Sequence, residues 1–438
     1  MQNPPFSTTT TTTTTATTTT ATTTKDNKTL CILILPISLF SLFLLLSLSS
    51  SSTSLQLPPP SSNPFLFPRH HHHHRTLFIN PNPSSDPDQR PSPPTPPSIA
   101  YFISGSTGDS GRILRLLLAI YHPKNHYLLH LDLSAPQTDR DLLAIAVQSI
   151  PIFKAAQNVN VVGKADFAYP KGSSAISSTL RGASILLRLS STWDWFINLS
   201  AADYPLVTQD DLLHILSFLP KNLNFVNHTS YIGWKESRRL KPIIVDPGLY
   251  LSEKTEIFYA SQRRELPNAY RLFTGSSSAI LSRKFIEFCI LGSDNLPRTV
   301  LMYLSNTPSS LPDYFPTVLC NSQQFNRTTV NHNLQYASLE PRPLSSSDFD
   351  SMIQSGAAFA TQFQLDDPVL DLIDQVALRR RSGEAVPGGW CLGESENDTC
   401  SVWGDADVLR PGPGAQRLEK NIVKLLSNGT VPVSSMYS

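Results

Sequence analysis

From Ile99 onward the chain alternates short apolar runs with longer amphipathic ones: IAYFIS, ILRLLLAIY, HYLLHLDL, DLLAIAVQSI, VNVVG, SSTLRGASILLRLS, WFINLS, DDLLHILSFL and NFVNH. The short runs are strand-sized and the longer ones carry helical spacing, so strand and helix repeat about four times. That alternation confines the chain to the α/β class, a mostly parallel sheet with helices on its faces. Such sheets bind ligands beyond the C-terminal ends of their strands, so the residues that follow each apolar run are the first candidates for chemistry.

Four such ends carry polar residues. The first is Ser104-Gly105-Ser106-Thr107-Gly108-Asp109-Ser110-Gly111, whose backbone N–H groups suit either a phosphate or a plain helix entry; its glycines are spaced GxxGxxG rather than GxGxxG. The second, His130-Leu131-Asp132, places a carboxylate where it accepts from a ribose hydroxyl or base N–H, or caps a turn. Gly163-Lys164 closes the third. In the fourth, Ser200-Ala201-Ala202-Asp203-Tyr204-Pro205, Asp203 is a turn-fixing carboxylate.

Residues 1–98 cannot join this core. They hold 16 of the 36 prolines, a threonine run and the histidines His70 to His74, a composition that buries too little apolar surface to order itself. The histidine run has no carboxylate or cysteine beside it and reads as a solvated tract. Within this segment Leu30–Leu48 is uncharged over 19 residues, close to the roughly 20 that cross a bilayer. Lys25 and Lys28 precede it, so the expected topology has residues 1–29 as a cytosolic tail, 30–48 as an uncleaved signal-anchor, 49–98 as a Ser/Pro/His stalk and 99–438 as one luminal domain. In that topology the sequons at Asn227, Asn326, Asn397 and Asn428 are glycan candidates, whereas Asn198 sits in an apolar strand end and is expected to stay unmodified.

Four cysteines fall in the domain, which permits two disulfides. Cys391 and Cys400 close a short loop worth about 2–3 kcal/mol, which leaves Cys289 to pair with Cys320. No CxxC pair supports zinc. The two DxD elements, Asp348-Phe349-Asp350 and Asp405-Ala406-Asp407, follow no apolar strand and read as capping or solvated carboxylates rather than as metal ligands. Net charge is +1, and the part after residue 98 has 30 basic against 31 acidic residues, which excludes a protein that tracks nucleic-acid phosphates.

The segments IAYFISGSTGDSGRILRLLLAIYHPKNHYLLHLD, VVGKADFAYPKGSSAISSTLRGASILLRL, INLSAADYPLVTQDDL, GWKESRRLKPIIVDPGLYL and DDPVLDLID resemble glycosyltransferase family 14. The likeness runs from residue 99 to about 427 and is strongest to the plant Golgi glucuronosyltransferases that act on arabinogalactan proteins. It implies a GT-A-like (Rossmann-like) fold, a Golgi type II membrane enzyme, and inverting transfer of glucuronic acid from UDP-glucuronic acid to galactan chains. No metal or other cofactor is implied, and the partners would be the nucleotide sugar, the glycan or glycoprotein acceptor and other Golgi transferases. Inversion needs one general base. The family places a Glu in the segment that here reads Leu311 to Val318, where Asp313 is the sole carboxylate, one carbon shorter and also placed to cap a helix.

For the donor, the resemblance maps Asp132 to uridine, Gly163 and Lys164 to the loop beside the nucleotide, and Gly275, Ser276 and Ser277 to the sugar and diphosphate. Ser278 stands where the family has Trp, and Thr361 and Gln362 stand where it has Arg-Lys against the diphosphate. Lys164, Lys235, Arg238 and Arg239 are the candidate replacement cations. Asp203, Trp234 and Lys235 are read as acceptor-side or structural. These departures keep two other readings open: a protein that binds glycans or partner transferases with little activity, and the same enzyme type using UDP-xylose or UDP-N-acetylglucosamine.

Overall fold

The computed structural model describes residues 94–250, 256–338, 340–392, 400 and 402–428. The expected tail, anchor and stalk, and Asn397, lie outside the described residues, as does the side chain of Asn428. Among the described residues no helix is long and apolar enough to cross a membrane.

Fourteen strands are described in chain order: β1 (Ile99–Gly105), β2 (His126–Leu131), β3 (Val159–Val161), β4 (Trp195–Ser200), β5 (Tyr204–Pro205), β6 (Asn224–Phe225), β7 (His228–Thr229), β8 (Pro242–Val245), β9 (Phe258–Arg263), β10 (Thr274–Gly275), β11 (Ile280–Ser282), β12 (Thr329–Val330), β13 (Gln335–Ala337) and β14 (Phe359–Thr361). Seven form the main sheet in the order β12-β6-β11-β4-β1-β2-β3. β4, β1, β2 and β3 are mutually parallel, as the alternating sequence predicts. β11 enters antiparallel between β4 and β6, so the sheet is mixed on that side.

β1 is central and buried on both faces, which is why it reads as a continuous apolar run. Its side chains alternate by strand period: Tyr101 and Ile103 join one core cluster, with Leu116 and Leu117 of the helix Ser110–Ala119. Ala100 and Phe102 join the other, with Ile176 and Leu186 of the helix Ser174–Leu189. That helix rides directly on the sheet at Gly182, where an added Cβ would lie 2.4 Å from the Phe102 ring. The helix Gln209–Ser217 starts on a capping box. The Thr208 hydroxyl accepts from the Asp211 N–H at 3.1 Å, and the Asp211 carboxylate accepts from the Thr208 N–H at 3.2 Å.

Cys391 and Cys400 are disulfide-bonded, with Cα atoms 5.0 Å apart. The expected Cys289–Cys320 bridge does not form; both thiols are free. Cys289, on the helix Arg283–Ile290, is hydrogen-bonded to Tyr314 on the helix Leu311–Asn321. Cys320 lies six residues beyond Tyr314, roughly 240° further round that helix, so its sulfur faces elsewhere. Asp348 caps its 3-10 turn with Ser345 and pairs with Arg342 at 2.8 Å, which is the capping role the sequence suggests. Asn227 and Asn326 are exposed. Asn198 is buried and spends its amide on Ser277 and Ala279 across the sheet, at 2.6 and 3.0 Å.

Candidate active site

β1 to β4 end on one edge, and the loops beyond them gather Asp109, Asp132, Lys164 and Asp203 there. The β1 loop closes on itself. Asp109 accepts from the Ser106 N–H at 2.8 Å and from Arg112 at 3.1 Å, and Arg112 also donates to the Phe363 carbonyl at 2.8 Å. Asp109 is the N-cap residue of the helix Ser110–Ala119, but its carboxylate turns to Ser106 and Arg112 and makes no cap hydrogen bond to the helix. Gly108 has φ +83°, which favours glycine, and at Gly105 a Cβ would meet Asp109 at 2.8 Å.

Asp132 is buried and ties two loops together: one oxygen accepts from the Ser134 N–H at 2.7 Å and the other from the Ala168 N–H. Beside it stands Tyr169, whose ring stacks on Phe167 with centroids 5.3 Å apart. The Tyr169 hydroxyl is buried with no hydrogen-bond partner among the described residues. Burial first, then the charges of Asp132 and Asp246, push that phenol above its ordinary range. Asp246 accepts from three backbone N–H groups, those of Ser173, Ser174 and Gly248, at 2.7 to 2.8 Å, and so fixes the start of the helix Ser174–Leu189. Neither Tyr169 nor Asp246 had a role readable in the sequence, because each acquires its neighbours only through the fold. Gly163 and Lys164 are exposed just past β3, and Lys164 makes no ion pair among the described residues.

β14 pairs with β5 and carries Thr361 and Gln362 to the end of β4, where the Phe363 N–H donates to the Ala202 carbonyl at 3.0 Å. Thr361 hydrogen-bonds the buried carboxyl of Asp203. That carboxyl also accepts from the Ser200 N–H at 2.7 Å and from Gln335 at 2.9 Å. Burial pushes Asp203 above the usual carboxylate range, against these donors. Asp203 therefore fixes the turn as expected. Arg115, near this edge, pairs with Asp371 and Asp374 at 2.7 and 2.8 Å. Tyr204 and Arg380 complete that network, each contacting Asp374 at 2.6 to 2.7 Å, so Asp371 and Asp374 of DDPVLDLID serve structure.

Asp313 lies in the first turn of the helix Leu311–Asn321, but Ser310 is the N-cap, so the capping alternative fails. It is 1% exposed, and Arg239 grips both its oxygens at 2.8 Å. Arg239 is thereby committed to Asp313 and to the carbonyls of Pro308 and Ser309. Lys235 and Arg238 lie over the Trp234 ring, at 5.9 and 5.5 Å from its centroid. At Gly275 a Cβ would sit 1.7 Å from the Asn227 carbonyl, so only glycine fits that β7–β10 contact. The Ser276 hydroxyl accepts from Asn333 at 3.0 Å, and the Ser277 carbonyl is held by Asn198. The structure thus groups Asp132, Gly163, Lys164, Asp203, Thr361 and Gln362 at the strand edge, and joins Asp313 to the Trp234 helix through Arg239.

Polar loops gathered at the ends of parallel strands are where an α/β enzyme places its substrate, and the chain is similar to known enzymes. The sequence profile of the Core-2/I-Branching enzyme family matches residues 99–350. The beta-glucuronosyltransferase GlcAT14A of Arabidopsis thaliana is 51% identical over 349 residues, covering 78% of this chain and 78% of that protein. GlcAT14B of the same plant is 51% identical over 337 residues, covering 75% and 78%. Xylosyltransferase 1 of Rattus norvegicus is 31% identical over 244 residues, covering 56% and 28%. The chain belongs to the Core-2/I-branching enzyme family of glycosyltransferases.

Proposed function

We propose that this enzyme, in a GT-A-like fold, transfers glucuronic acid from UDP-glucuronic acid to galactan chains of arabinogalactan proteins. The observation that carries the reading is the identity of 51% to a beta-glucuronosyltransferase over 78% of both chains. In this reading UDP binds across the ends of β1 to β4, with Asp132 at the uridine and Gly163 and Lys164 beside the diphosphate. Gly275, Ser276 and Ser277 face the sugar. Asp313 takes the proton from the acceptor hydroxyl, which attacks the anomeric carbon as its bond to UDP breaks on the opposite face. The step uses no metal, and a single anchor at Leu30–Leu48 holds the enzyme in the Golgi membrane among other transferases.

A second reading has two specific supports. Asp313 is buried and held by Arg239, and a neutral threonine serves Asp203 where the family places a cation, which suits a protein that binds glycans without transfer. One experiment separates them. Full-length protein in detergent is given UDP-glucuronic acid, UDP-xylose or UDP-N-acetylglucosamine with galacto-oligosaccharides, with and without chelator. Transfer from UDP-glucuronic acid that survives chelation supports the first reading. Transfer from another donor, or loss with chelator, corrects it, and no transfer despite glycan binding establishes the second.

A further inference from the structure

The helix Leu311–Asn321 carries three polar side chains on one face, at positions i, i+4 and i+8. Asp313 holds Arg239. One turn on, the Thr317 hydroxyl accepts from the Phe273 N–H and donates to the Phe273 carbonyl, both at 3.0 Å. A turn further, Asn321 does the same for Arg271, accepting from its N–H at 3.0 Å and donating to its carbonyl at 2.7 Å. The segment leading into β10 is therefore bolted to the helix that bears Asp313. At 1.5 Å rise per residue, Asn321 lies about 12 Å along the helix from Asp313.

Beyond that segment a groove of about 560 Å³ opens, within the roughly 300–1,000 Å³ that accommodates a small ligand. Ser230, Tyr231 and Ile232, just past β7, form one wall, and Pro267, Tyr270 and Arg271 face them. The β7–β10 pairing sets both walls: Thr229 lies opposite Thr274, and His228 opposite Gly275. Leu272, which lines the groove, is three residues before Gly275 in the chain. Tyr231 is 83% exposed at its rim, and Trp234 nearby is 66% exposed. Flat aromatic faces left in water beside hydroxyl and guanidinium donors match a sugar ring, which offers C–H groups on one face and hydroxyls at its edge. Among the described residues no carboxylate lines the groove.

We propose that this groove is an outer acceptor subsite, which holds sugar residues of the acceptor glycan remote from the one that is glycosylated. The proposal rests on the reading above that the enzyme extends a galactan. Its walls are registered to Asp313 by the Thr317 and Asn321 clamps, so a chain lying in it has a fixed offset from the proposed base.

The test uses full-length Tyr231→Ala, Tyr270→Ala and the ring-retaining Tyr231→Phe, with a ladder of galacto-oligosaccharides from disaccharide upward. The expected result is a KM rise of about tenfold for long acceptors in the alanine variants. The disaccharide KM, the UDP-glucuronic acid KM and the long-chain kcat stay unchanged, and Tyr231→Phe behaves as the parent. Equal losses at every acceptor length, or none, would overturn the subsite. Direct titration of the same oligosaccharides without donor, followed by tryptophan fluorescence, keeps the two readings apart. If the parent transfers nothing, length-dependent binding that Tyr231→Ala weakens still supports the subsite, and length-independent binding or no binding overturns it.

Discussion

Replacing Arg239 by Met should be among the most damaging single changes on this side of the domain. Asp313 is 1% exposed and receives two guanidinium hydrogen bonds at 2.8 Å, so the substitution takes the guanidinium away from a buried carboxylate. It also removes the donor that satisfies the Pro308 and Ser309 carbonyls, at 2.9 and 3.1 Å. Breaking a buried pair from one side costs about 3–5 kcal/mol. The Arg239 side chain is 23% exposed, and water reaching that end places the loss near the lower limit, about 3 kcal/mol. For a domain of this size that lowers Tm by about 4 °C. Thermal unfolding of the parent, Arg239→Met, Asp313→Leu and the double variant completes a cycle. The double variant carries neither charge of the pair and should recover most of the loss, giving a coupling energy of about 2–3 kcal/mol. An Arg239→Met protein within about 1 kcal/mol of the parent, or a double variant no better than the single, would falsify the buried-clamp account.

Asp313→Asn should lower kcat by at least about a hundredfold if Asp313 is the base, with the donor KM unchanged; transfer at the parental rate would remove it from that role. Lys164→Met should raise the KM for the UDP-sugar about tenfold at unchanged kcat, read from initial rates at low salt. Burial raises the Asp210 carboxyl to about 6, above an ordinary value of 3.8. Its contribution to stability is therefore full below about pH 4 and lost as pH rises through about 6, some 3 kcal/mol in all. Asp210→Asn should flatten that part of the stability profile in urea titrations, and an unchanged slope between pH 4 and 7 would refute the assignment. Removing the Cys391–Cys400 bridge with serines should cost about 2–3 kcal/mol by the same measurement, with no loss meaning the loop is held by its other contacts.

The parallel half of the sheet was legible because its signal is local. Each of β1, β2 and β4 is a short apolar run with its own helix after it, and the polar residues that end those runs reached one edge as predicted. Pairings between distant segments were not legible. Arg239 and Asp313 are 74 residues apart, and nothing near either one distinguishes a diphosphate cation from a clamp. The cysteines show the same limit from the other side. Cys391 and Cys400, nine apart, were paired by proximity, whereas Cys289 and Cys320 were paired by elimination, and helix phase placed their sulfurs apart. A signal that was present and went unread is the polar stripe Asp313, Thr317, Asn321, whose spacing by fours marks one helix face.

The neutral Thr361 takes on a different meaning once its partner is known. Read from the sequence, it is a missing cation opposite the diphosphate. In the fold its side chain hydrogen-bonds Asp203, whose other donors, the Ser200 N–H and Gln335, are also neutral. An arginine at this position would therefore face a buried carboxylate as well as any phosphate, and part of its charge would be spent on Asp203. Burial raises the Asp203 carboxyl above its ordinary range while the donors that face it are neutral. If the donor binds as proposed, Lys164, exposed past β3 beside the Asp132 loop, is one cation placed to meet its charge on the β2–β3 side of the sheet.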